Sequence, residues 1–223
     1  DWSSDVCSSD LARPLISLRY RIEINGFDAI AKGGTRGVLF LPNHTALIDP
    51  VIIMAWFFPR FKLRPLADEY QVGRTAFGRI VKIFGTHLLP NMERRGAGAR
   101  DGMKKAVDEL IAGLRAGESI LIYPAGRIKR QRLEDLGSAS GVEAIVKALP
   151  DVRIVLVRHD GLWGSSFGWA ATGHMPAFGT ALVDGVKLLL KNGIFFMPRR
   201  RVTIECVEPA DFRAGIDGLA KRC

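Results

Sequence analysis

The sequence predicts a single α/β domain, and three observations support this. Short apolar runs alternate with segments whose apolar residues recur at helical spacing, which is typical of a layered α/β fold. The 223 residues are enough for one domain with a substantial core. No apolar run reaches the roughly 18 to 20 residues needed to span a bilayer, and the longest, residues 46–58, is interrupted by Asp49 and Pro50.

The predicted elements follow one another in order along the chain. Strands are predicted over Val38–Leu41, Arg64–Ala67, Ser119–Tyr123, Arg153–Val157 and Val202–Val207. Helices are predicted over Val51–Phe58, Val72–Phe84, Gly98–Ala116, Gly141–Leu149 and Gly179–Leu190. The helix at 98–116 has the clearest pattern, because its apolar residues recur at helical spacing and Gly117 follows as a C-cap signal.

The first eleven residues, DWSSDVCSSDL, resemble the translation of a sequencing-library adapter. They contain three Asp and four Ser but no basic residue, and they show no periodicity. We therefore expect residues 1–11 to be non-native and to play no part in the fold. The functional domain is expected over residues 12–223, truncated at its N-terminus and derived from a longer parent protein.

The charge balance predicts an anionic partner. Without Asp1, Asp5 and Asp10 the acidic residues fall from 23 to 20 against 32 Lys and Arg, so the net charge rises from +9 to +12. Such a domain is expected to meet nucleic acid, acidic lipid or a phosphorylated substrate. Nucleic acid is disfavoured, because the chain has no recognised module and no interleaving of aromatic with basic residues. The remaining cysteines, Cys206 and Cys223, give no disulfide framework and no metal-ligand spacing.

The chemistry is expected where the strand 38–41 ends, in the stretch PNHTALIDP at residues 42–50. A histidine titrates near neutrality and can take a proton from a hydroxyl, and a carboxylate can fix its tautomer. On one continuous helix His44 and Asp49 would point roughly 140° apart. They can meet only if a loop leads into the helix, as the flanking prolines favour. From these residues alone, a structural histidine and a helix-capping Asp49 are equally good explanations.

His-x4-Asp after an apolar strand resembles the first signature of the glycerolipid acyltransferase family, which includes 1-acylglycerol-3-phosphate acyltransferases. A second block resembles the family pattern of a glycine, a short apolar strand and an arginine before a long helix, with Gly85, Leu88, Leu89 and Arg94. The family's last signature, an apolar strand in the wall of the substrate site, is similar to residues 153–157.

The third block resembles the family signature Phe-Pro-Glu-Gly-Thr-Arg but departs from it. Tyr123, Pro124 and Gly126 match, whereas Ala125 replaces the glutamate and Arg127 stands one position early. The departure puts a glutamate-dependent contact with the acceptor in doubt. The string Gly-Leu-Trp-Gly-Ser at 161–165 resembles a subgroup that is often fused to an acyl-activating synthetase.

The resemblance implies a mixed, mostly parallel sheet flanked by helices, on the membrane surface. It implies acyl transfer from acyl-CoA or acyl-carrier protein to a lysophospholipid hydroxyl, without a metal or bound cofactor. His44 would be the general base, and Asp49 would orient it. Arg94 and Arg127 would bind the acceptor phosphate, and backbone N–H groups near Gly126 would face the oxyanion. The expected location is the cytoplasmic face of a membrane, and the alternative function is a non-catalytic module that binds anionic lipid.

Overall fold

The computed structural model of the protein describes residues 12–68, 86–89, 97–136, 141–193 and 198–210. The strands within them are β1 Tyr20–Asn25, β2 Val38–Pro42, β3 Arg64–Asp68, β4 His87–Leu89, β5 Ile120–Leu121, β6 Arg153–Asp160 and β7 Arg200–Val207. The helices, numbered in the same way, are α1 (residues 12–19), α2 Phe27–Lys32, α3 Asp49–Phe61, α4 Ala97–Arg115, α5 Gly141–Ala148, α6 Trp169–Thr172 and α7 Phe178–Lys191. None of these described helices is long and apolar enough to cross a membrane.

The described strands form one mixed sheet in the order β1-β7-β6-β2-β5-β3-β4. Every neighbouring pair is parallel except β6 and β7, so β1 and β7 run opposite to the other five. This confirms the predicted mixed, mostly parallel sheet in a single α/β domain. Because β5, β2 and β6 are parallel neighbours, their carboxyl ends open at one edge, where ligands of such sheets usually bind.

Apolar side chains pack on both faces of the sheet, as the two-residue period of a strand requires. Phe40 of β2 faces α3, and its ring centroid lies 5.8 Å from that of Phe57. The neighbouring Leu39 faces the opposite side, in a cluster with Leu110 of α4 and Ile145 of α5. All five are almost completely buried, and each stabilises the fold by about 1.5–3 kcal/mol. The core therefore holds β2 rigidly at the position from which it delivers its carboxyl end.

Helix α3 extends beyond its predicted end at Phe58, because the structure accommodates Pro59. Proline has no N–H to donate to the carbonyl four residues earlier, which is that of Ala55. The Nε of Arg13 donates to this carbonyl instead, at 2.8 Å. The unpaired acceptor is thereby satisfied from α1, and the helix continues to Phe61.

Most of the other predicted elements are confirmed to within a few residues. The predicted strand at 119–123 is reduced to β5, although the N–H of Ile122 still donates to the carbonyl of Phe40 at 3.0 Å. Strand β1 was not predicted, although its buried and half-buried residues alternate with charged ones. The predicted helix Val72–Phe84 and the segment 1–11 lie outside the described residues.

Candidate active site

His44 and Asp49 meet at the carboxyl end of β2. His44 lies in the loop that follows the strand, and Asp49 is the first residue of α3. The loop turns the chain so that Nδ1 of His44 lies 3.3 Å from Oδ2 of Asp49. The side chain of His44 is 13% exposed, whereas that of Asp49 is fully buried. A solute can therefore reach the imidazole but not the carboxylate.

The carboxylate of Asp49 is bound by the loop and not by the helix that it begins. It accepts the backbone N–H groups of Thr45 at 2.6 Å and Ala46 at 3.0 Å, and the Thr45 hydroxyl donates to it as well. The interpretation of Asp49 as a helix cap is wrong, because Ile48 is the N-cap residue and makes no side-chain cap bond. Because Oδ2 of Asp49 faces Nδ1 of His44, the contact favours the His44 tautomer that carries its proton on Nδ1. The basic nitrogen of His44 is then Nε2.

Tyr123, which follows β5, forms one wall of the site. Its ring centroid lies 4.2 Å from that of the His44 imidazole, with an interplanar angle of 32°. Burial raises the pKa of Tyr123 well above its ordinary value, and the charges of Asp49 and Glu134 add to the effect. Tyr123 therefore stays neutral and restricts the imidazole by contact.

His159 of β6 lies on the far side of Asp49 and is tied to Asn43. The side-chain amide of Asn43 donates to the carbonyl of His159 at 3.1 Å, and its oxygen accepts the His159 N–H at 2.6 Å. Nδ1 of His159 lies 3.4 Å from the Asn43 carbonyl and 4.0 Å from Oδ2 of Asp49. Burial lowers the pKa of His159 and outweighs the neighbouring carboxylate. His159 is therefore neutral, and its hydrogen bonds with Asn43 fix the start of the loop that carries His44.

The region that holds these residues also identifies the family. Residues 21–160, more than half of the chain, match the sequence profile of the family described as Acyltransferase. This chain belongs to the acyltransferase family. The matched region of the acyltransferase includes His44 and Asp49, and the chain is accordingly an O-acyltransferase.

The acyltransferase is also similar in fold to a solved structure, the 1-acyl-sn-glycerophosphate (LPA) acyltransferase PlsC from Thermotoga maritima. The TM-score is 0.59, with 15% sequence identity, and the match covers 96% of this chain and 75% of that chain. At this identity the similarity establishes the α/β fold alone. The comparison with curated proteins gave no significant match.

Two of the remaining predicted site residues of the acyltransferase, Gly126 and Arg127, lie on the segment after β5. Gly126 occupies a turn with φ of +63°, and its N–H donates to the carbonyl of Tyr123 at 3.0 Å. That N–H serves the turn, so it is already engaged by the protein. Arg127 is 53% exposed and pairs with Asp135 at 3.0 Å. Arg94 lies outside the described residues.

Three residues of the site were not assigned a role from the sequence. Asn43 and His159 are brought together by the pairing of β2 with β6, which joins residues more than one hundred positions apart. Glu134 reaches the site from the segment after β5, where its Oε1 accepts the backbone N–H of His44 at 2.8 Å. The alternation along residues 153–160 could have placed the side chain of His159 on the buried face, but no local signal indicates its partner, and Glu134 gave no signal at all. Among the residues that the structure describes, no group of His, Cys, Asp and Glu is arranged to hold a metal ion.

Proposed function

We propose that this acyltransferase moves a fatty acyl group from an acyl thioester to the free hydroxyl of a lysophospholipid such as 1-acylglycerol-3-phosphate. The donor is acyl-CoA or acyl-carrier protein, and the reaction belongs to phospholipid synthesis or remodelling. The contact between His44 and Asp49 supports the proposal most directly, because it pairs a reachable imidazole with a buried, hydrogen-bonded carboxylate. The fold similarity to PlsC is consistent with it.

The proposed reaction needs no covalent intermediate on the protein. Nε2 of His44 accepts the proton of the acceptor hydroxyl while the oxygen attacks the thioester carbonyl. Asp49 holds the imidazole and stabilises the imidazolium that forms. When the tetrahedral intermediate collapses, the C–S bond breaks and the thiolate takes the proton from His44. The products are an ester and a free thiol, and His44 returns to its neutral form.

The acceptor phosphate would be bound by arginine. Arg127 is exposed, belongs to the segment that folds over His44, and presents a planar fork suited to phosphate. Arg94 is the second proposed ligand. Backbone N–H groups near Gly126 would face the oxyanion, although the N–H of Gly126 itself already donates to Tyr123.

We further propose that the protein binds the cytoplasmic face of a membrane peripherally, with α7 as part of the contact. Four aliphatic residues on one side of α7 are between 48% and 65% exposed: Leu182, Val183, Val186 and Leu190. The same helix carries Lys187 and Lys191, and the chain has a net charge of +9. An apolar surface with lysines on a basic protein fits an anionic bilayer.

The helix also begins close to the site. The ring of Phe178, its first residue, lies 5.6 Å from that of Phe167 between ring centroids. The carbonyl of Phe167 in turn accepts the N–H of Leu47 in the loop that follows His44. A bilayer at α7 would therefore lie next to the loop that carries the proposed base.

A fused or neighbouring acyl-activating synthetase would supply the thioester.

The alternative is a module that binds anionic lipid without catalysis, which Ala125 and the basic charge favour.

Purified protein is assayed with 1-acylglycerol-3-phosphate and each thioester donor, alongside His44→Ala and the exposed control His174→Ala. We expect His44→Ala to remain folded and to lose about 100- to 10,000-fold in turnover, and the control to keep its activity. Binding to vesicles without transfer from either donor would favour the alternative. Normal turnover in His44→Ala would exclude the proposed base.

A further inference from the structure

The segment after β5 lacks the carboxylate of the family signature but brings another carboxylate to the site. The family signature has a glutamate directly after Pro124, and this chain has Ala125 there. Residues 126–136 then cross the carboxyl edge of the sheet, anchored by the buried side chain of Ile128. Further along this segment, Glu134 brings a carboxylate to the loop that holds His44.

Both backbone groups of His44 are bound by this segment. The N–H of His44 donates to Oε1 of Glu134 at 2.8 Å. The carbonyl of His44 accepts the N–H of Lys129, also at 2.8 Å. The imidazole packs on Tyr123, the residue from which the segment departs. One stretch of chain thus determines the position of the His44 backbone and limits the rotation of its ring.

The charge of Glu134 acts on the same histidine. The carboxylate is half-buried, and burial is the largest influence on its pKa, which is raised. The backbone N–H of His44 and the neighbouring titratable groups His44 and Lys129 favour its ionisation, and Asp49 opposes it. When ionised, Glu134 places a second negative charge on the backbone of the residue that takes the proton, and this favours the imidazolium that forms.

We propose that Glu134 is a positioning residue for His44, which fixes the backbone of the general base by accepting its N–H and supports the protonated ring by its charge. This role rests on the proposed acyl transfer for its kinetic readout. The two contributions can be separated by substitution. Glutamine keeps an oxygen that can accept the N–H but has no charge, and alanine has neither.

The kinetic test compares Glu134→Gln and Glu134→Ala with the wild type, with Glu143→Gln as a matched control. Glu143 is an exposed glutamate on α5 that pairs with Lys147. We expect kcat to fall about 10- to 100-fold in Glu134→Ala and less in Glu134→Gln, because a hydrogen bond to a charged acceptor has this worth. The KM values for both substrates should change less than about threefold, and the acidic limb of kcat/KM should move to lower pH in both variants. The control should match the wild type in all of these.

A second measurement does not depend on activity. The imidazole C–H resonances of the four histidines are followed by NMR against pH, and that of His44 is assigned with His44→Ala. In both Glu134 variants its titration midpoint should move to lower pH, because a neighbouring negative charge is removed. An unchanged midpoint overturns the proposal whatever the kinetics. A lower melting temperature alone, with wild-type kcat per folded molecule, also overturns it. If Glu134→Ala does not fold, Glu134→Gln alone tests the contribution of the charge. If the wild type is inactive but the His44 midpoint still shifts in the Glu134 variants, only the acyl-transfer assignment is rejected.

Discussion

The imidazole of His159 lies 4.0 Å from the carboxylate of Asp49, measured from Nδ1 to Oδ2, and both side chains are completely shielded from solvent. The same oxygen of Asp49 lies 3.3 Å from His44 on the side that solvent can reach. Because burial lowers the pKa of His159, its ring is neutral and does not form an ion pair with Asp49. The carboxylate of Asp49 therefore lies between two imidazoles, the structural one of His159 and that of His44, the proposed base.

The buried His159 should make folding sensitive to acid. A histidine with a folded-state pKa below its ordinary value of about 6.5 contributes stability above that pH, and the contribution is lost as pH falls toward the folded-state pKa. We expect the melting temperature to fall between pH 7.5 and pH 5, and to fall less steeply in His159→Asn. The exposed His174→Asn is the control and should keep the wild-type slope. Identical slopes in wild type and His159→Asn would show that His159 does not titrate with unfolding.

Asp49→Asn should harm both folding and catalysis, because its carboxylate accepts two backbone N–H groups and faces His44. Loss of these charge-assisted bonds should lower the free energy of unfolding by about 1–3 kcal/mol. Turnover should fall about 100- to 10,000-fold, because the imidazole loses its tautomer and its counter-charge. Urea melts and initial rates measure the two effects. The exposed Asp28→Asn, which removes only a surface pair with Arg60, should change neither; wild-type turnover in folded Asp49→Asn would refute the assigned role.

The sequence predicted the layers of the fold because each layer has a local signature. Apolar runs mark β2 and β6, helical spacing marks α4, and the break at Pro42 places His44 in a loop. The pairing of His44 with Asp49 was predictable for the same reason, since it depends on a turn within six residues.

The surroundings of the dyad were not predictable, because they depend on long-range pairing. Asn43 meets His159 only when β2 lies beside β6, and Glu134 meets His44 only after the segment beyond β5 folds back. Similarly, α3 passes Pro59 only because Arg13 satisfies the carbonyl of Ala55. In each case one partner is set by tertiary contacts that no local pattern records.

Membrane binding should depend on both charge and the exposed face of α7. We expect co-sedimentation with anionic vesicles that weakens as salt is raised, because exposed charges are screened. Replacing Leu182, Val186 and Leu190 by serine should weaken binding at least about tenfold, because each loses apolar contact worth on the order of 1 kcal/mol. Val207→Ser, at an exposed position of β7, is the control. Unchanged binding of the triple variant would remove α7 from the contact, and no binding at low salt would reject membrane association of this chain.

The ion pair of Arg127 with Asp135 gives the sharpest test of phosphate binding. Arg127→Ala should raise the KM for the lysophospholipid about ten- to a hundredfold, because a charge-assisted hydrogen bond to phosphate is worth roughly 1.5–3 kcal/mol. The KM for an acyl-carrier-protein donor should change little, and Arg127→Lys should recover part of the loss, because lysine keeps the charge without the planar fork.

The partner of Arg127 provides the comparison that separates phosphate binding from a structural role. Asp135 accepts from Arg127 at 3.0 Å, and an incoming phosphate would compete with it for the same guanidinium. Asp135→Asn should therefore leave the acceptor KM unchanged or lower it, whereas a purely structural pair would make both substitutions equally harmful. If Arg94 and Arg127 bind one phosphate, the effects of replacing them should be non-additive. An unchanged acceptor KM in Arg127→Ala would place Arg127 outside the phosphate site and strengthen the case for lipid binding without catalysis.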